Sequence, residues 1–281
     1  MQSMTREAKG MRTPRTPDSV RSLGTYIDNL QASGRYTFRR DEALRALGIS
    51  VPALRKAAWR LLGKARLAMP RRGFLVVVPT EYRVAGAPPP SWFIDDMMRF
   101  HEHPYYVGVL SAAALHGAAH QQPQEFQVVS DVPLRPIRAG RARIRFFSKK
   151  RLSRTPTVEI KTPTGTMRIS TPEATAIDLL RYVHRAGGLG NVATVLSELK
   201  EKFHPDALLE AARVETEPAL AQRLGCLLDL VDARAKAEDL RKWLSARKPM
   251  PVPLRPGKPS HGFPLNRRWQ VLLNEDIEVD A

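Results

Sequence analysis

Residues 36–79, YTFRRDEALRALGISVPALRKAAWRLLGKARLAMPRRGFLVVVP, decide the fold of the first third of the chain. Leu47 closes a short helical pattern, and Gly48 follows where a left-handed residue costs least. Ser50 can cap a second helix. Pro52 is compatible with the first turn of that helix, because a backbone N–H at this position has no hydrogen-bond partner within the helix. This spacing predicts two helices joined by a tight turn.

The second of these helices has an apolar face and a basic face. Leu54, Ala58 and Leu61 recur at helical spacing and form an inward stripe. The cations that lie off this stripe, and are expected to face solvent, are Arg55, Lys56 and Arg60. The helix is therefore predicted to bury one side and to present positive charge on the other.

A basic hairpin is predicted directly after the second helix. Segments 67–69 and 74–78 alternate or run apolar as strands do, and residues 70–73, Pro-Arg-Arg-Gly, supply the turn. A hairpin with two arginines at its tip, placed after such a helix, is typical of the wing of a winged helix-turn-helix. Trp59 is expected to be wedged between helix and wing, the alternative being that it stacks on a sugar or base.

Positive charge is concentrated in the same stretch. Between Arg35 and Arg72 there are eleven Lys or Arg against two acids, a net of +9, and the whole chain carries +17. Clustered Lys and Arg neutralise phosphates and provide most non-specific affinity for DNA. A basic surface that only keeps the domain soluble is the alternative. Helix spacing, hairpin and charge together favour double-stranded DNA as the partner.

The predicted contacts follow from how a winged helix docks on DNA. The second helix should enter the major groove, where arginine can bind guanine through two hydrogen bonds. Arg71 and Arg72 on the wing should meet phosphate or the minor groove, and Arg39 and Arg40 should flank the backbone. The predicted DNA-binding residues are Arg39, Arg40, Ser50, Ala53, Arg55, Lys56, Arg60, Arg71 and Arg72. About five phosphate contacts would give log affinity a slope near −4.5 against log salt.

Composition argues against several other classes of protein. No apolar stretch approaches the roughly 20 residues of a membrane helix, and the first residues lack the apolar core of a secretory signal, so no membrane partner is expected. The single cysteine, Cys226, excludes an internal disulfide and is expected to pack in the core of a cytoplasmic protein. No phosphate-binding loop or serine elbow is present, and no cofactor is expected.

Four segments are predicted along the chain. They are a disordered tail (1–17), a winged helix-turn-helix domain (18–85), a proline-rich linker (86–91) and a second domain (92–281). A first helix that includes Val20 and is capped by Asp18 or Ser19 should pack beneath the winged module. The predicted fold class is α+β, with the winged domain followed by a larger mixed α+β domain that has a mostly antiparallel sheet.

The second domain mixes helical and strand patterns. Helices are predicted at 92–100, capped by Ser91, and at 111–119, and a capping box at 170–173 should start another. Further helices are predicted at 191–201, 206–213, 217–231 and 235–246, and strands at 126–130, 141–147, 157–161, 166–170 and 268–273, the last returning to the sheet. Six prolines exclude regular structure from 249–264.

A second basic surface is predicted around the strand at 141–147. Its arginines alternate with apolar residues, which is typical of a half-buried strand with one cationic face. With the cations that follow, the group comprises Arg141, Arg143, Arg145, Lys149, Lys150 and Arg151. These residues form either a secondary nucleic-acid surface or a solvated strand face, and the sequence favours neither.

Three stretches of the second domain carry a resemblance. They are residues 105–117, YYVGVLSAAALHG; residues 170–180, STPEATAIDLL; and residues 222–225, QRLG. In this order they resemble signature stretches of AbiEi-family antitoxins, the antitoxin half of type IV toxin–antitoxin systems. With the winged N-terminus ahead of them, the resemblance covers roughly residues 20–280. Arg39 departs from the local pattern, since it stands where a Ser, Thr or Asp cap would begin the first helix of the motif.

The resemblance implies a non-enzymatic protein in two parts. The winged domain would bind the operator of its own operon and repress it, while the second domain would supply antitoxicity and assist DNA binding. The partner gene would encode a nucleotidyltransferase toxin of the AbiEii type. Neutralisation of that toxin would not require a stable complex.

Two other functions stay open. One is a winged-helix regulator unrelated to a toxin, whose second domain senses a ligand or partner. The other is a metal-dependent nuclease, in which Asp131 and Glu159 would hold Mg²⁺ while Lys161 stabilises the attacking water. His116 and His120 also have a helical ligand spacing, but no third ligand accompanies them, so structural roles and no metal are expected.

Overall fold

The computed structural model of the 281-residue chain describes residues 22–118, 123–215 and 217–278. The predicted tail at 1–17, the predicted helix-start residues Asp18, Ser19 and Val20, and His120 lie outside the described residues. In the described part of the chain, helices are too short or too polar to cross a membrane.

The described elements alternate along the chain. The α-helices are α1 (Leu23–Ala32), α2 (Arg40–Leu47), α3 (Val51–Gly63), α4 (Ile94–Phe100), α5 (Val109–Leu115), α6 (Pro172–Arg181), α7 (Gly188–Leu199), α8 (Pro205–Val214), α9 (Pro218–Leu230) and α10 (Glu238–Ser245). The strands are β1 (Thr37–Arg39), β2 (Leu67–Arg71), β3 (Phe74–Val77), β4 (Tyr105–Val107), β5 (Phe126–Ser130), β6 (Ile137–Ala139), β7 (Ala142–Ser148), β8 (Thr157–Thr162), β9 (Gly165–Ser170), β10 (Val252–Pro253), β11 (Leu265–Asn266) and β12 (Val271–Leu272).

The first three helices and three strands form a winged helix-turn-helix. Gly48 has a φ of +60° and ends α2, and the Ser50 hydroxyl accepts a hydrogen bond from the Ala53 N–H at 3.4 Å to begin α3. Leu54 is buried in a core that also holds Ile27 of α1. Both helices of the motif are therefore confirmed, together with the turn between them.

The start of α1 differs from the predicted one, whereas α2 begins after Arg39, as the sequence indicated. Ser22, not Asp18 or Ser19, caps α1 by accepting a hydrogen bond from the Thr25 N–H at 3.1 Å. At α2, Arg39 occupies the cap position and provides no acceptor. The Glu42 carboxylate instead accepts from the Arg39 N–H at 3.4 Å, so the third helical residue compensates for the missing cap.

The wing sheet is larger than predicted and its turn is shorter. β1 was not predicted, because three residues are too few for alternation to be recognised; it pairs with the far side of β3 in the order β1-β3-β2. β2 continues through Pro70 to Arg71, and since β2 is an edge strand the proline breaks no internal ladder. Arg71 pairs with Phe74, so only Arg72 and Gly73 form the turn.

A six-stranded mixed sheet organises the second domain. Its order is β6-β7-β5-β4-β9-β8, with two parallel pairs (β4 with β9, β5 with β7) and three antiparallel pairs. The mostly antiparallel α+β class is confirmed. β4 and β6 were not predicted, again because each has only three residues.

Helices α5 to α10 build the main core of the second domain with one side of this sheet. Cys226 is buried in this core as expected, and burial raises the pKa of its thiol to about 11.

Two predicted helix caps in the second domain are wrong. Ser91 lies in a 3-10 turn, and Phe93 precedes α4. Thr171 alone caps α6, because the Glu173 carboxylate accepts from the His204 N–H at 3.0 Å rather than bonding back to the helix start.

The C-terminal strands form a separate small sheet. β12 pairs with β10 and β11 and does not return to the main sheet, which corrects the prediction for 268–273. β10 also places two residues of the proline-rich stretch in a strand. This sheet packs against α9 through the Trp269 ring, which lies directly against Gly225. A Cβ atom at position 225 would be 2.1 Å from the ring, so only glycine leaves enough room for it.

The winged unit packs directly on the second domain. A shared core contains Phe74 and Val76 from the wing sheet together with Met97 from α4. The Arg141 N–H donates to the Ala85 carbonyl at 2.7 Å, which ties the β6–β7 hairpin to the end of the winged unit. The boundaries at 85 and 91 stay a proposal, but these contacts show that the segment at 86–91 does not hold the two units apart.

Candidate nucleic-acid interface

One side of α3 is exposed and carries positive charge without any acid. We call it the α3 face and define it as Arg55, Lys56, Trp59 and Arg60, all exposed. No Asp or Glu occurs from Val51 to Lys64. In the described part of the chain, the three cations of this face make no ion pair. Their charge is therefore available to an external anion.

Trp59 lies on this face and not in the core. Its side chain is 74% exposed, so the prediction that it is wedged between helix and wing is wrong. The position is off the inward stripe of α3, where Leu54 is buried and Ala58 and Leu61 pack against the core. The helical pattern by itself predicts that Trp59 faces outward. The prediction was wrong because it gave more weight to the usual burial of a large aromatic ring.

The start of α3 and the start of α2 are also at the surface. Ser50 and Ala53 are exposed beside the α3 face. Arg40 is exposed, while its main-chain N–H donates to the Gly73 carbonyl of the wing at 2.9 Å. Arg39 is exposed but engaged, because its guanidinium lies 5.2 Å from the Phe100 ring centroid and 3.3 Å from the Asp41 carboxylate.

The two wing arginines differ in environment. Arg72 is exposed in the turn. Arg71 is half-buried, and its Nη2 donates to the main-chain carbonyl of Arg135 in the second domain at 2.8 Å. Burial, helped by the positive charge of Arg135, lowers the pKa of Arg71. The structure therefore turns Arg71 toward the second domain, whereas Arg72 stays exposed in the turn.

The basic group of the second domain is divided in the same way. Arg141, Arg143, Lys150 and Arg151 are exposed. Arg145 is held by Glu125, with Nη2 and Oε1 2.8 Å apart. Lys149 is buried between Asp178 at 3.1 Å and Glu215 at 2.6 Å, so it cannot belong to a nucleic-acid surface and that prediction is wrong.

Arg138 and its pairing with Arg143 were missed by the sequence analysis. Arg138 on β6 stands directly opposite Arg143 on β7, and both are exposed. Like charges at directly opposed positions destabilise a sheet. Neither makes an ion pair with a described residue. The pairing could not be recognised from sequence because β6 was not predicted, and it places two like charges opposite each other at one edge of the sheet.

The residues of the predicted nuclease site do not come together. Asp131 directly follows β5 and lies 3.4 Å from His103, whereas Glu159 lies in β8. Strands β4 and β9 lie between β5 and β8, a separation of about 14 Å at the usual strand spacing, too far for one Mg²⁺ ion. Among the described residues, no group of three or more His, Cys, Asp or Glu could hold a metal.

His116 has a structural environment. It caps the C-terminus of α5, next to Gly117 with its φ of +77°, and its Nε2–H donates to the Ser170 carbonyl at 2.7 Å. Burial lowers the pKa of His116. The ring therefore joins α5 to the end of β9.

The architecture is that of a two-part protein, a winged helix-turn-helix packed against a mixed α+β domain. Residues 106–230 match the family described as AbiEi antitoxin C-terminal domain. The match supports an antitoxin domain of the AbiEi family in this part of the chain, and with it an antitoxin role in a toxin–antitoxin system.

The crystal structure of the RV2827C protein from Mycobacterium tuberculosis is similar to this chain, with a TM-score of 0.64 and 14% identity over 88% of this chain and 89% of that one. At this identity the likeness shows a shared fold. No curated protein matches the sequence.

The family stretches have physical roles in the second domain. Tyr106 from the first stretch donates its hydroxyl proton to Asp178 of the second at 2.8 Å, and Asp178 also holds Lys149. Burial raises the pKa of Asp178, against the opposing charge of Lys149. In the third stretch, the Gln222 side-chain amide lies 3.0 Å from the carbonyl of Met250. These residues hold the sheet, α6 and the C-terminal segment together.

Proposed function

We propose that this chain is a cytoplasmic, non-enzymatic antitoxin that also represses its own operon by binding double-stranded operator DNA. The α3 face would enter the major groove, Arg72 on the wing would contact phosphate or the minor groove, and Arg40 would flank the backbone. The observation that carries the proposal is the α3 face itself: three exposed cations on the second helix of a winged motif, with no acid on that helix.

The fixed packing of the two units supports a larger DNA surface. Arg71 and Arg141 connect the winged unit to the β5–β6 and β6–β7 connections through main-chain carbonyls, so the two units would move as one body on DNA. Arg138 and Arg143 repel each other unless an anion lies near them. Phosphates of the same duplex would relieve this repulsion.

DNA binding can be tested with duplexes that tile the region upstream of the gene. The variant Arg55→Ala/Lys56→Ala/Arg60→Ala should lose binding at 0.15 M salt, measured by fluorescence anisotropy, because it removes three contacts from one groove-facing surface. A matched control, Arg45→Ala/Lys242→Ala/Arg247→Ala, removes the same charge at exposed positions elsewhere and should bind nearly as well as the wild type. Equal loss in both variants would show that only net charge matters and would contradict the proposed surface.

The antitoxin partner is proposed to be a nucleotidyltransferase toxin encoded in the same operon, countered without a stable complex. Co-expression with the neighbouring gene should restore growth if that gene is the toxin. The triple α3 variant should still restore growth while losing repression of a reporter, because the family match lies at 106–230 and not in the winged unit. Failure of the wild type to restore growth would contradict the toxin assignment. It would not affect the DNA-binding proposal, which the anisotropy experiment tests separately.

A second candidate function, a response of the second domain to a small ligand, is favoured by one cavity. It has a volume of about 290 Å³, and among its lining residues are Leu180, Leu220, Arg223 and Leu254. Arg223 Nε donates to the Pro253 carbonyl at 2.9 Å, and no described carboxylate forms an ion pair with it. Burial lowers the pKa of Arg223. The lining also includes Arg255 and the carboxylate of Glu217, which is paired with Arg181 at 3.0 Å. Leucines beside a partly desolvated guanidinium suit a small anion with an apolar part.

This second function predicts a change in DNA binding. Salicylate, a small aromatic carboxylate, should raise the melting temperature of the wild type and alter its affinity for the duplex, and Arg223→Gln should remove both effects. No shift of melting temperature or affinity at millimolar salicylate would count against it.

A further inference from the structure

Trp59 is the feature of the α3 face that charge does not explain. It is 74% exposed, whereas Trp269 is 1% exposed and both Trp92 and Trp243 are half-buried. A tryptophan is one of the largest apolar side chains, and leaving it in water forgoes the free energy that its burial would provide. The winged core is closed by Leu54 and its neighbours, and Trp59 is not among the side chains that pack in it.

The surroundings of Trp59 define what could cover it. Arg55 and Lys56 precede it by four and three residues and so lie on the same side of α3, and Arg60 follows it. With no acid on the helix, a partner that covers the ring must also accept three positive charges. A bilayer surface would need a broader apolar face than one ring provides. The partner of fitting chemistry is DNA, which offers phosphates beside apolar groups.

We propose that Trp59 reads the C5-methyl group of a thymine in the major groove, so that the preferred DNA contains a thymine next to the bases bound by the arginines. This inference rests on the proposed DNA-binding function. The major groove is wide enough for α3, and the thymine methyl is the one apolar group on its floor. Arginine and lysine can select guanine there but have no contact that distinguishes thymine by its methyl, and Trp59 supplies one.

The experiment isolates the methyl group. Preferred duplexes are first selected from a randomised library with the full-length protein, and each thymine is then replaced in turn by uracil, which lacks only the methyl. At one thymine per binding site, replacement by uracil should weaken the affinity of the wild-type protein about fourfold, as expected for the loss of one buried methyl group. Trp59→Ala should bind the thymine and uracil duplexes equally well. Arg55→Ala, which keeps the ring, should retain the preference at that thymine.

A second readout uses the fluorescence of the ring itself. Binding of the selected duplex should quench and shift the emission of the wild type, and in Trp59→Phe that change should be lost, because the other three tryptophans are buried or half-buried. Val84→Ala serves as a control, since Val84 is 79% exposed outside the α3 face and should change neither readout.

The outcomes separate this inference from the function on which it rests. If no duplex is selected above bulk DNA, both fail. If a duplex binds tightly but uracil is tolerated at every position, or if Trp59→Ala keeps the same uracil penalty, DNA binding stands and the role of Trp59 is overturned. A change in oligomeric state in Trp59→Ala, with unaltered DNA preference, would assign the ring to a contact between copies of the chain.

Discussion

The α3 face and the end of β7 both carry clustered cations, but the fold treats them differently. Arg55 and Lys56 lie on a helix without acids and keep their charge exposed. Lys149 is buried against Asp178 and Glu215, whereas its neighbour Lys150 is exposed. A cation contributes to a binding surface only when the fold leaves it without an internal partner, so the distribution of acids matters as much as the number of bases.

The largest effect is expected where the internal partner is removed. Lys149→Met should lower the free energy of unfolding by about 3–5 kcal/mol, because Asp178 would remain fully buried without its cation. Urea denaturation monitored by circular dichroism measures this free energy of unfolding. Lys150→Met, one residue away and exposed, should change the stability by less than about 0.5 kcal/mol.

The same variant has a pH signature. Burial already raises the pKa of Asp178, and without Lys149 it should rise further above its unfolded value. Protonation then favours the folded state, so the loss of stability in Lys149→Met should be greatest at neutral pH and should shrink as pH falls toward the range in which Asp178 is protonated. A loss that is independent of pH would mean that Lys149 acts by packing alone.

The next effect concerns a cation that has no internal partner. Arg55→Ala should reduce discrimination between the preferred duplex and a random duplex by about 1–3 kcal/mol, through loss of a two-hydrogen-bond contact to guanine. Folding stability should hardly change, since the side chain is exposed. Competition binding with both duplexes measures the ratio. An unchanged ratio together with weaker binding to both duplexes would reassign Arg55 to phosphate.

The two wing arginines, adjacent in the chain, provide the same comparison between a paired and an exposed cation. Arg72→Ala should weaken binding to all duplexes by a similar few-fold factor and reduce the salt slope by about 0.9. Arg71→Ala should leave that slope unchanged and instead cost about 1 kcal/mol of stability, because the Arg135 carbonyl loses its donor. Salt titrations and urea denaturation of both variants test this. A reduced salt slope in Arg71→Ala would show that Arg71 contacts DNA, as the sequence predicted.

Features set by neighbouring residues could be predicted from the sequence. Gly48, Ser50 and Pro52 act within one turn of helix, so the end of α2 and the start of α3 were both predicted with their capping residues. The alternation in residues 141–147 likewise predicted a half-buried strand, which β7 confirms.

Features set by distant contacts could not be predicted. Lys149 meets Asp178 across 29 positions, and nothing in its own surroundings in the sequence marks it as buried. Arg71 was placed at the wing tip because neither the extension of β2 through Pro70 nor the approach of Arg135 can be recognised locally. The opposed pair Arg138 and Arg143 exists only because the two strands meet. Paired and unpaired cations are therefore distinguished by tertiary structure.

The smallest predicted effect converts a paired cation into a free one. The hydrogen bond from Arg145 lowers the pKa of Glu125, so this pair adds stability above the unfolded pKa near 4.3 and loses it as pH falls through the folded value. Glu125→Gln should therefore cost at most about 1 kcal/mol at pH 7, and the difference from wild type should vanish in acid. It also frees Arg145 beside Arg143. If the second domain contacts DNA, the salt slope should steepen by up to about 0.9; an unchanged slope would confine the DNA surface to the winged unit.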